Sequence, residues 1–339
     1  MRTSFILSAA TALLASSLVL RSDAQQLCNG YSELCAKTYD KVAYATTHNA
    51  FAYQRGALAA NQENDISTQL KDGIRALMLD SYNGAGGDIQ LCHSSCELLD
   101  AGTLTKTLGQ VKAFMDANPN EVVTIFFENA GKLSPAQFQA SYAAAGLDSY
   151  SHTQPTGSTA WPTLTEMISG GKRLVTFLDT GADASVPWLM SEYDYVFETP
   201  YRIPAGAEYP CTIDRPKDQQ RQMYVLNHFV YGAIGNISQG LDLPQPGLAV
   251  KTNGDDLATH INTCQSTLNQ MPNFIAVDFY DKGSILQLVA QVNNVKWDGK
   301  GPTTPKSTNV NGAASAINNK NVKAVAVVAA TAALGLVAF

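Results

Sequence analysis

The stretch ATTHNAF sets His48 beside Asn49, and DIQLCHS places a second histidine, His93, further along the chain. Acidic residues lie between and beyond them at Asp80, Glu128, Asp179, Glu198 and Asp278, with one more histidine at His228. Two histidines can divide acid–base work near neutral pH. A neutral His48 takes a proton from an attacking hydroxyl and a protonated His93 gives one to a departing oxygen, which is the division that phosphodiester cleavage requires. Asp278, at the end of the last apolar run, is expected to help orient His48 or His93. Asn49, Asp80 and Glu128 offer oxygen donors only, a set for calcium or magnesium and not for zinc. Such an ion would offset charge building on a phosphate, a task for which the sequence shows no inward-facing Arg or Lys. Taken singly, each residue has a structural explanation as a satisfied core histidine or a helix N-cap. Glu128 and Glu198 would also suit a glycoside hydrolase, but that chemistry leaves two histidines without a task.

These residues share a position: each falls at or near the C-terminal end of an apolar run. The runs are VAYATTHN (42–49), IRALMLDSY (74–82), DIQLCHS (88–94), VVTIFFEN (122–129), RLVTFLDT (173–180), YVFETP (195–200), MYVLNHF (223–229) and FIAVDFYD (274–281). Helical patterns separate several of them: LTKTLGQVKAFMDA, SPAQFQASYAAA, WPTLTEMI, DDLATHINTCQSTLNQ and SILQLVAQVNN. Strands in alternation with helices imply a parallel sheet covered on both faces, and the near-continuous apolar character of the runs agrees. Eight parallel strands within about 250 residues point to an α/β fold, a (β/α)8 TIM barrel, somewhat irregular, whose C-terminal strand ends converge on one face. An open doubly wound sheet is the alternative, but no glycine-rich phosphate loop follows the first strand. Irregularity is expected at NGAGG, too short for a helix, and over residues 202–222.

Side chains alternate faces along a strand. If Asp80 points inward, so do Ala76 and Met78, while Arg75, Leu77 and Leu79 point toward the helices. Arg75 is then a structural ion-pair partner and not a phosphate ligand. The same parity turns Thr124, Phe126 and Glu128 inward, and Tyr44, Thr46 and His48.

The motifs TTHNAF, QLKDGIRALMLDSYN, DIQLCHS and VVTIFFEN, in this order and spacing, resemble the X-domain of phosphatidylinositol-specific phospholipase C and its secreted relatives. RLVTFLD, YVFETPY, CTIDRP, MYVLNHF and NFIAVDFYD look like the shorter, single-domain branch of fungi and plants. The resemblance implies a phosphoric diester hydrolase in which His48 is the general base that deprotonates the inositol 2-hydroxyl. His93 would be the general acid that protonates the diacylglycerol oxygen, and a cyclic phosphodiester, later opened by water, would be the first product. It also implies that Asn49, Asp80 and Glu128 are calcium ligands. A fourth ligand position, a Glu in the calcium-dependent members, is Met78 here, and a thioether is a poor calcium ligand. Metal-independent bacterial members carry an Arg where this chain has Asp80. The implied substrate is an inositol phospholipid, a GPI glycolipid or a related phosphodiester. The alternative is a catalytically silent surface barrel that binds glycans or lipids, which Met78 favours and the retained histidines oppose.

The ends of the chain carry a different message. Residues 1–24 read as a signal peptide, with a basic start, an apolar stretch and small Ser22 and Ala24 before the cut. Residues 25–298 form the barrel domain, residues 299–323 a Ser/Thr/Asn/Pro-rich stalk, and residues 324–339 an apolar tail. A small site, a polar spacer and a terminal apolar tail are the pattern for a glycosylphosphatidylinositol (GPI) anchor. Asn311 is the expected attachment residue, with Ser307 and Asn309 as alternatives, and a tail-anchoring helix is the competing reading. The expected location is the outer face of the plasma membrane or the cell wall, with the protein as a monomer. A net charge of −6 and no basic block argue against nucleic-acid partners. Six cysteines in a secreted chain form an even set. Local spacing suggests Cys28 with Cys35 and Cys92 with Cys96, leaving Cys211 with Cys264, although fifteen pairings are formally open. Asn236 heads the N-glycosylation sequon Asn236-Ile237-Ser238.

Overall fold

The computed structural model describes residues 26–299, apart from residues 55, 156 and 233–242. The expected signal peptide, stalk, tail, Asn236 and Asn311 lie outside the described residues. In chain order the strands are β1 (Tyr44–Thr47), β2 (Ala76–Asn83), β3 (Ile89–Cys92), β4 (Asp100–Thr103), β5 (Val123–Glu128), β6 (Leu174–Leu178), β7 (Leu189–Ser191), β8 (Val196–Glu198), β9 (Met223–Asn227), β10 (Tyr231–Gly232), β11 (Leu243–Pro244) and β12 (Phe274–Val277). Eight of them run parallel in the order β7-β6-β5-β2-β1-β12-β9-β8, an α/β barrel of the (β/α)8 kind. No ladder joins β7 to β8 among the described residues, so the ring has a seam there.

Seven of the expected runs are barrel strands, and the third is not. Residues 89–92 pair antiparallel with β2, and β4 pairs antiparallel with β3, so NGAGG is a hairpin connection. Antiparallel neighbours can be joined by a tight turn, whereas a parallel crossover needs a dozen residues or more. Gly86 and Gly87 take positive φ in that turn. The eighth barrel strand is β7, three residues long, which carries too little pattern to read in the sequence.

The alternation of faces is as expected. Tyr44, Ala76, Phe126, Phe177, Phe274 and Ala276 pack inside the barrel, while Ala45, Leu77, Leu79, Ile125, Phe127 and Ile275 pack toward the helices. Burial of each Phe side chain contributes about 1.5–3 kcal/mol. Arg75 is turned outward and pairs with Glu121 at 2.7 Å. The five helical patterns all form helices. The longest is α2 (Leu104–Ala117, numbered after α1, Ile66–Asp72), where Leu104, Leu108, Val111 and Met115 repeat at three- and four-residue spacing and are buried. The Thr103 side chain caps it by accepting from Lys106 N–H.

All three cysteine pairs are as expected: Cys28–Cys35, Cys92–Cys96 and Cys211–Cys264. The last ties the irregular 202–222 segment to the helix at Leu257–Leu268. That segment also runs back along β8, where Glu198 N–H donates to Arg215 O at 2.7 Å and Asp214 N–H to Glu198 O at 2.9 Å. Among the described residues no helix is long and apolar enough to cross a membrane.

Candidate active site

β1 ends by delivering His48, and β12 ends by delivering Asp278 beside it, because the two strands are paired in register. His48 Nδ1–H donates to Asp278 Oδ1 at 2.8 Å. Of the two histidines Asp278 could have oriented, the structure joins it to His48. The His48 ring stacks on Phe229, with centroids 3.8 Å apart and planes 5° from parallel. With Nδ1 held by a carboxylate, Nε2 is the nitrogen left for a proton transfer.

His93 follows β3 on the hairpin, and the Cys92–Cys96 disulfide closes the turn that carries it. Its Nδ1–H donates to the Ala59 carbonyl at 2.6 Å, which again leaves Nε2 available. Burial lowers the His93 pKa from its ordinary value, with His48 adding to the effect while Ala59 O and Asp278 oppose it. The two histidines are therefore within electrostatic reach of each other, although one comes from the barrel wall and the other from an excursion outside it.

Asn49 sits in left-handed backbone, φ 43°, a conformation asparagine tolerates better than most residues. In one amide orientation Asn49 donates its nitrogen to Asp80 Oδ1 and Oδ2 at 3.0 and 3.3 Å; in the other its oxygen faces Asp80, the orientation in which it could serve as a cation ligand. Asp80 and Glu128 are register partners on β2 and β5. Burial raises the Asp80 pKa well above its ordinary value, and the neighbouring Glu128 and Asp179 raise it further. Glu128 is exposed by area yet recessed among the side chains of the mouth, and lost hydration raises its pKa too, against the pull of Arg215. Crowded, under-neutralised carboxyls of this kind suit a hard cation in donor chemistry. Met78 lines the same pocket, so the site has two carboxylates and one amide and no third carboxylate at that position.

Arg215 is the residue that sequence reasoning missed. It enters the mouth from the irregular segment and pairs with Glu198, Nη2 to Oε2 at 2.8 Å. Its guanidinium lies over the Tyr201 ring at 4.3 Å. It acts on Asp80, Glu128, Asp179, Glu192 and Glu198 alike, in each case favouring the ionised carboxylate. Burial would raise Glu198, but Arg215 and the Asn227 amide reverse this and its pKa falls. A carboxylate so committed has no proton to give, which removes Glu198 as the acid of a glycosidase pair. Only the unpatterned CTIDRP stretch could have pointed to Arg215.

His228 is not at the mouth. Its ring turns outward, Nε2–H to Thr252 O at 2.8 Å and Nδ1 to His260 Nδ1 at 2.9 Å, with Tyr209 stacked on it at 3.9 Å. Among the described residues, the one trio of His, Cys, Asp or Glu with ligand atoms mutually within 4.8 Å is Cys211, His260 and Cys264, and its cysteines are joined in a disulfide.

The barrel has the fold of the phosphatidylinositol-specific phospholipases C. The sequence profile of the PI-PLC X family matches residues 34–293, and the chain belongs to that family. An uncharacterized secreted protein of Arthroderma benhamiae is 36% identical over 290 residues, covering 80% of this chain and 65% of the relative. A PI-PLC X domain-containing protein 1 of the same fungus is 32% identical, covering 79% and 90%. A PI-PLC X domain-containing protein of Arabidopsis thaliana is 30% identical, covering 75% and 62%. The match thus spans a little under two thirds of the first and third of these relatives. Among solved structures, phosphatidylinositol-specific phospholipase C from Listeria monocytogenes superposes with a TM-score of 0.52 at 12% identity, covering 78% of this chain and 98% of its own. The Staphylococcus aureus enzyme gives 0.51 at 18%, covering 78% and 95%. At such identities the likeness is one of fold.

Proposed function

We propose that the protein is a phosphoric diester hydrolase of the phospholipase C type, acting on an inositol phospholipid, a GPI glycolipid or a related phosphodiester. The observation that carries this reading is the pair of oriented histidines. His48 is held at Nδ1 by Asp278 and His93 at Nδ1 by Ala59 O, so each keeps one ring nitrogen for the substrate.

In the first half-reaction His48 Nε2 takes the proton of the hydroxyl adjacent to the phosphoester, and that oxygen attacks phosphorus. The bond from phosphorus to the lipid oxygen breaks, and His93 supplies the proton that oxygen needs. The cyclic diester is opened by the reverse roles: His93 takes a proton from water and His48 returns one to the ring oxygen. Asp278 stabilises the imidazolium that His48 becomes after the first transfer. Asn49, Asp80 and Glu128 would hold a calcium or magnesium ion. When bound, that ion supplies positive charge beside the phosphate. Arg215 contributes a fixed positive charge at the opposite wall of the mouth.

Lipid substrates and a GPI tail would place the protein at a membrane surface, outside the cell. The signal-peptide pattern supports this reading, as does the relative named as a secreted protein. A second reading, a silent barrel that binds glycans or lipids, is favoured by Met78 in the mouth.

Release of product from phosphatidylinositol and from a generic phosphodiester, with calcium or with chelator, separates the two. His48→Ala and His93→Ala should each lower the rate by roughly 10²–10⁴-fold. Equal product from wild type and both variants would sink the enzymatic reading. Release of the protein from cells by a GPI-cleaving phospholipase tests the anchor, and retention would favour a tail helix.

A further inference from the structure

Most buried asparagines that brace this barrel serve its backbone. Asn129 Nδ2 donates to Leu133 O and Thr180 O, Asn253 Nδ2 to Asp278 O and Phe279 O, and Asn273 Nδ2 to Asp40 O and Val42 O. Asn61 departs from this pattern. It is completely buried, its Nδ2 donates to Asp278 Oδ1 at 3.0 Å and lies 3.4 Å from His48 Nδ1, and its Oδ1 finds no donor among the described residues. An unpaired buried amide oxygen is a cost that folding alone gives no reason to keep.

The local backbone does not need the Asn61 side chain. Asn61 N–H donates to Ala52 O at 2.9 Å, and Asn61 O accepts from Phe279 N–H at 2.8 Å. The neighbouring Gln62 braces both strand ends, with Nε2 to His48 O at 2.7 Å and to Val277 O at 3.1 Å. The same segment supplies Ala59 O, the acceptor for His93 Nδ1–H. One irregular stretch between β1 and α1 thus touches both histidines, through a carbonyl for one and a side-chain amide for the other.

We infer that Asn61 is the positioning residue of the His48–Asp278 pair. Its amide and the His48 Nδ1–H converge on the same oxygen, Asp278 Oδ1. With both donors in place that carboxylate cannot swing away, and Oδ1 becomes a poorer acceptor for the imidazole proton. The proton stays on Nδ1 and the lone pair stays on Nε2. Asn61 touches no reacting atom; it acts through Asp278. The kinetic consequence rests on the hydrolase reading above, whereas the hydrogen-bond consequence stands without it.

The test uses Asn61→Ala and the near-isosteric Asn61→Asp, which keeps the volume and replaces the donor by an acceptor. Both are compared with Asp278→Ala and with Asn61→Ala in the Asp278→Ala background. The expected result is a kcat loss of about tenfold or more in either Asn61 variant, with KM within about twofold, and no further loss once Asp278 is gone. The low-field proton resonance of His48 Nδ1–H, assigned by its disappearance in Asp278→Ala, should shift or broaden in both Asn61 variants. Wild-type kcat with an unmoved resonance overturns the inference. A loss that recurs in full on the Asp278→Ala background overturns it too, since it would report folding and not positioning. If the wild type cleaves no phosphodiester, the hydrolase reading fails, and the resonance alone decides: unmoved in Asn61→Asp, it overturns the inference.

Discussion

Arg215 Nη2 lies 2.8 Å from Glu198 Oε2, and Glu198 is almost wholly buried. Asn227 Nδ2 donates to the same carboxylate at 2.8 Å and Glu192 and the Tyr193 hydroxyl bond to it as well, so removal of Arg215 takes away the cation that balances a buried charge. Breaking a buried pair by deleting one partner typically costs about 3–5 kcal/mol. Arg215→Met should therefore lower the urea midpoint sharply, and Arg215→Met with Glu198→Gln should recover much of the loss. A single variant as stable as wild type would show that the pair carries no structural burden.

The His228–His260 pair gives the fold a definite response to acid. Burial first, and then the neighbouring His260, push His228 down to about 3, while burial takes His260 to about 4. Above the ordinary imidazole value, about 6.5, folded and unfolded chains both carry these rings neutral and the pair has no linkage effect. Below it the unfolded chain takes protons that the native pair refuses, so stability falls as the pH drops from about 6.5 toward 4. At pH 5 the cost is roughly 2 kcal/mol per ring. Urea titrations at pH 7 and pH 5 should show a smaller acid loss in His228→Gln than in wild type, and equal losses would refute the neutral pair.

Asp80 has the opposite linkage. Its raised pKa means that the native state favours the protonated carboxyl, a contribution present below the unfolded value near 4 and lost as the pH rises through the folded value. At pH 7, in chelator, Asp80→Asn should then raise Tm. Calcium should raise the wild-type Tm and leave Asp80→Asn unmoved, because a ligand that binds only the native state stabilises it. A wild-type Tm indifferent to millimolar calcium and magnesium would remove the cation from the proposed mechanism.

The Cys92–Cys96 bridge closes so short a loop that chain entropy assigns it only about 2 kcal/mol. Its position next to His93 gives it a larger kinetic role. Cys92→Ala with Cys96→Ala should depress kcat well beyond what the change in Tm explains. A parallel decline of both would reduce the bridge to a staple.

Much of the barrel could be read from the sequence because period-two alternation on long strands is a strong signal. Asp80, Glu128 and Asp278 each follow inward-facing residues, and His48 follows Thr46 with the same parity. β3 reads as a barrel strand in the sequence because an antiparallel hairpin strand has the same apolar character; only the shortness of NGAGG hints at the difference. β7 is not legible in the sequence because three residues hold no period. Arg215 and Asn61 lie in irregular segments, where no periodicity says which way a side chain points. His228 follows Leu226, which packs toward the helices, and shares its parity, so it faces away from the mouth; alternation applied to β9 would have excluded it.

The seam between β7 and β8 has a further consequence. A closed barrel would fill the outer edge of β8 with a neighbouring strand. Here the N–H and C=O of Glu198 on that edge bond to Arg215 and Asp214. The vacancy in the ring is therefore the berth for Arg215, which brings a guanidinium to an acidic mouth. Zipping β7 onto β8 would complete the cylinder and evict that guanidinium, so in this architecture mechanical closure and charge balance compete for a single strand edge.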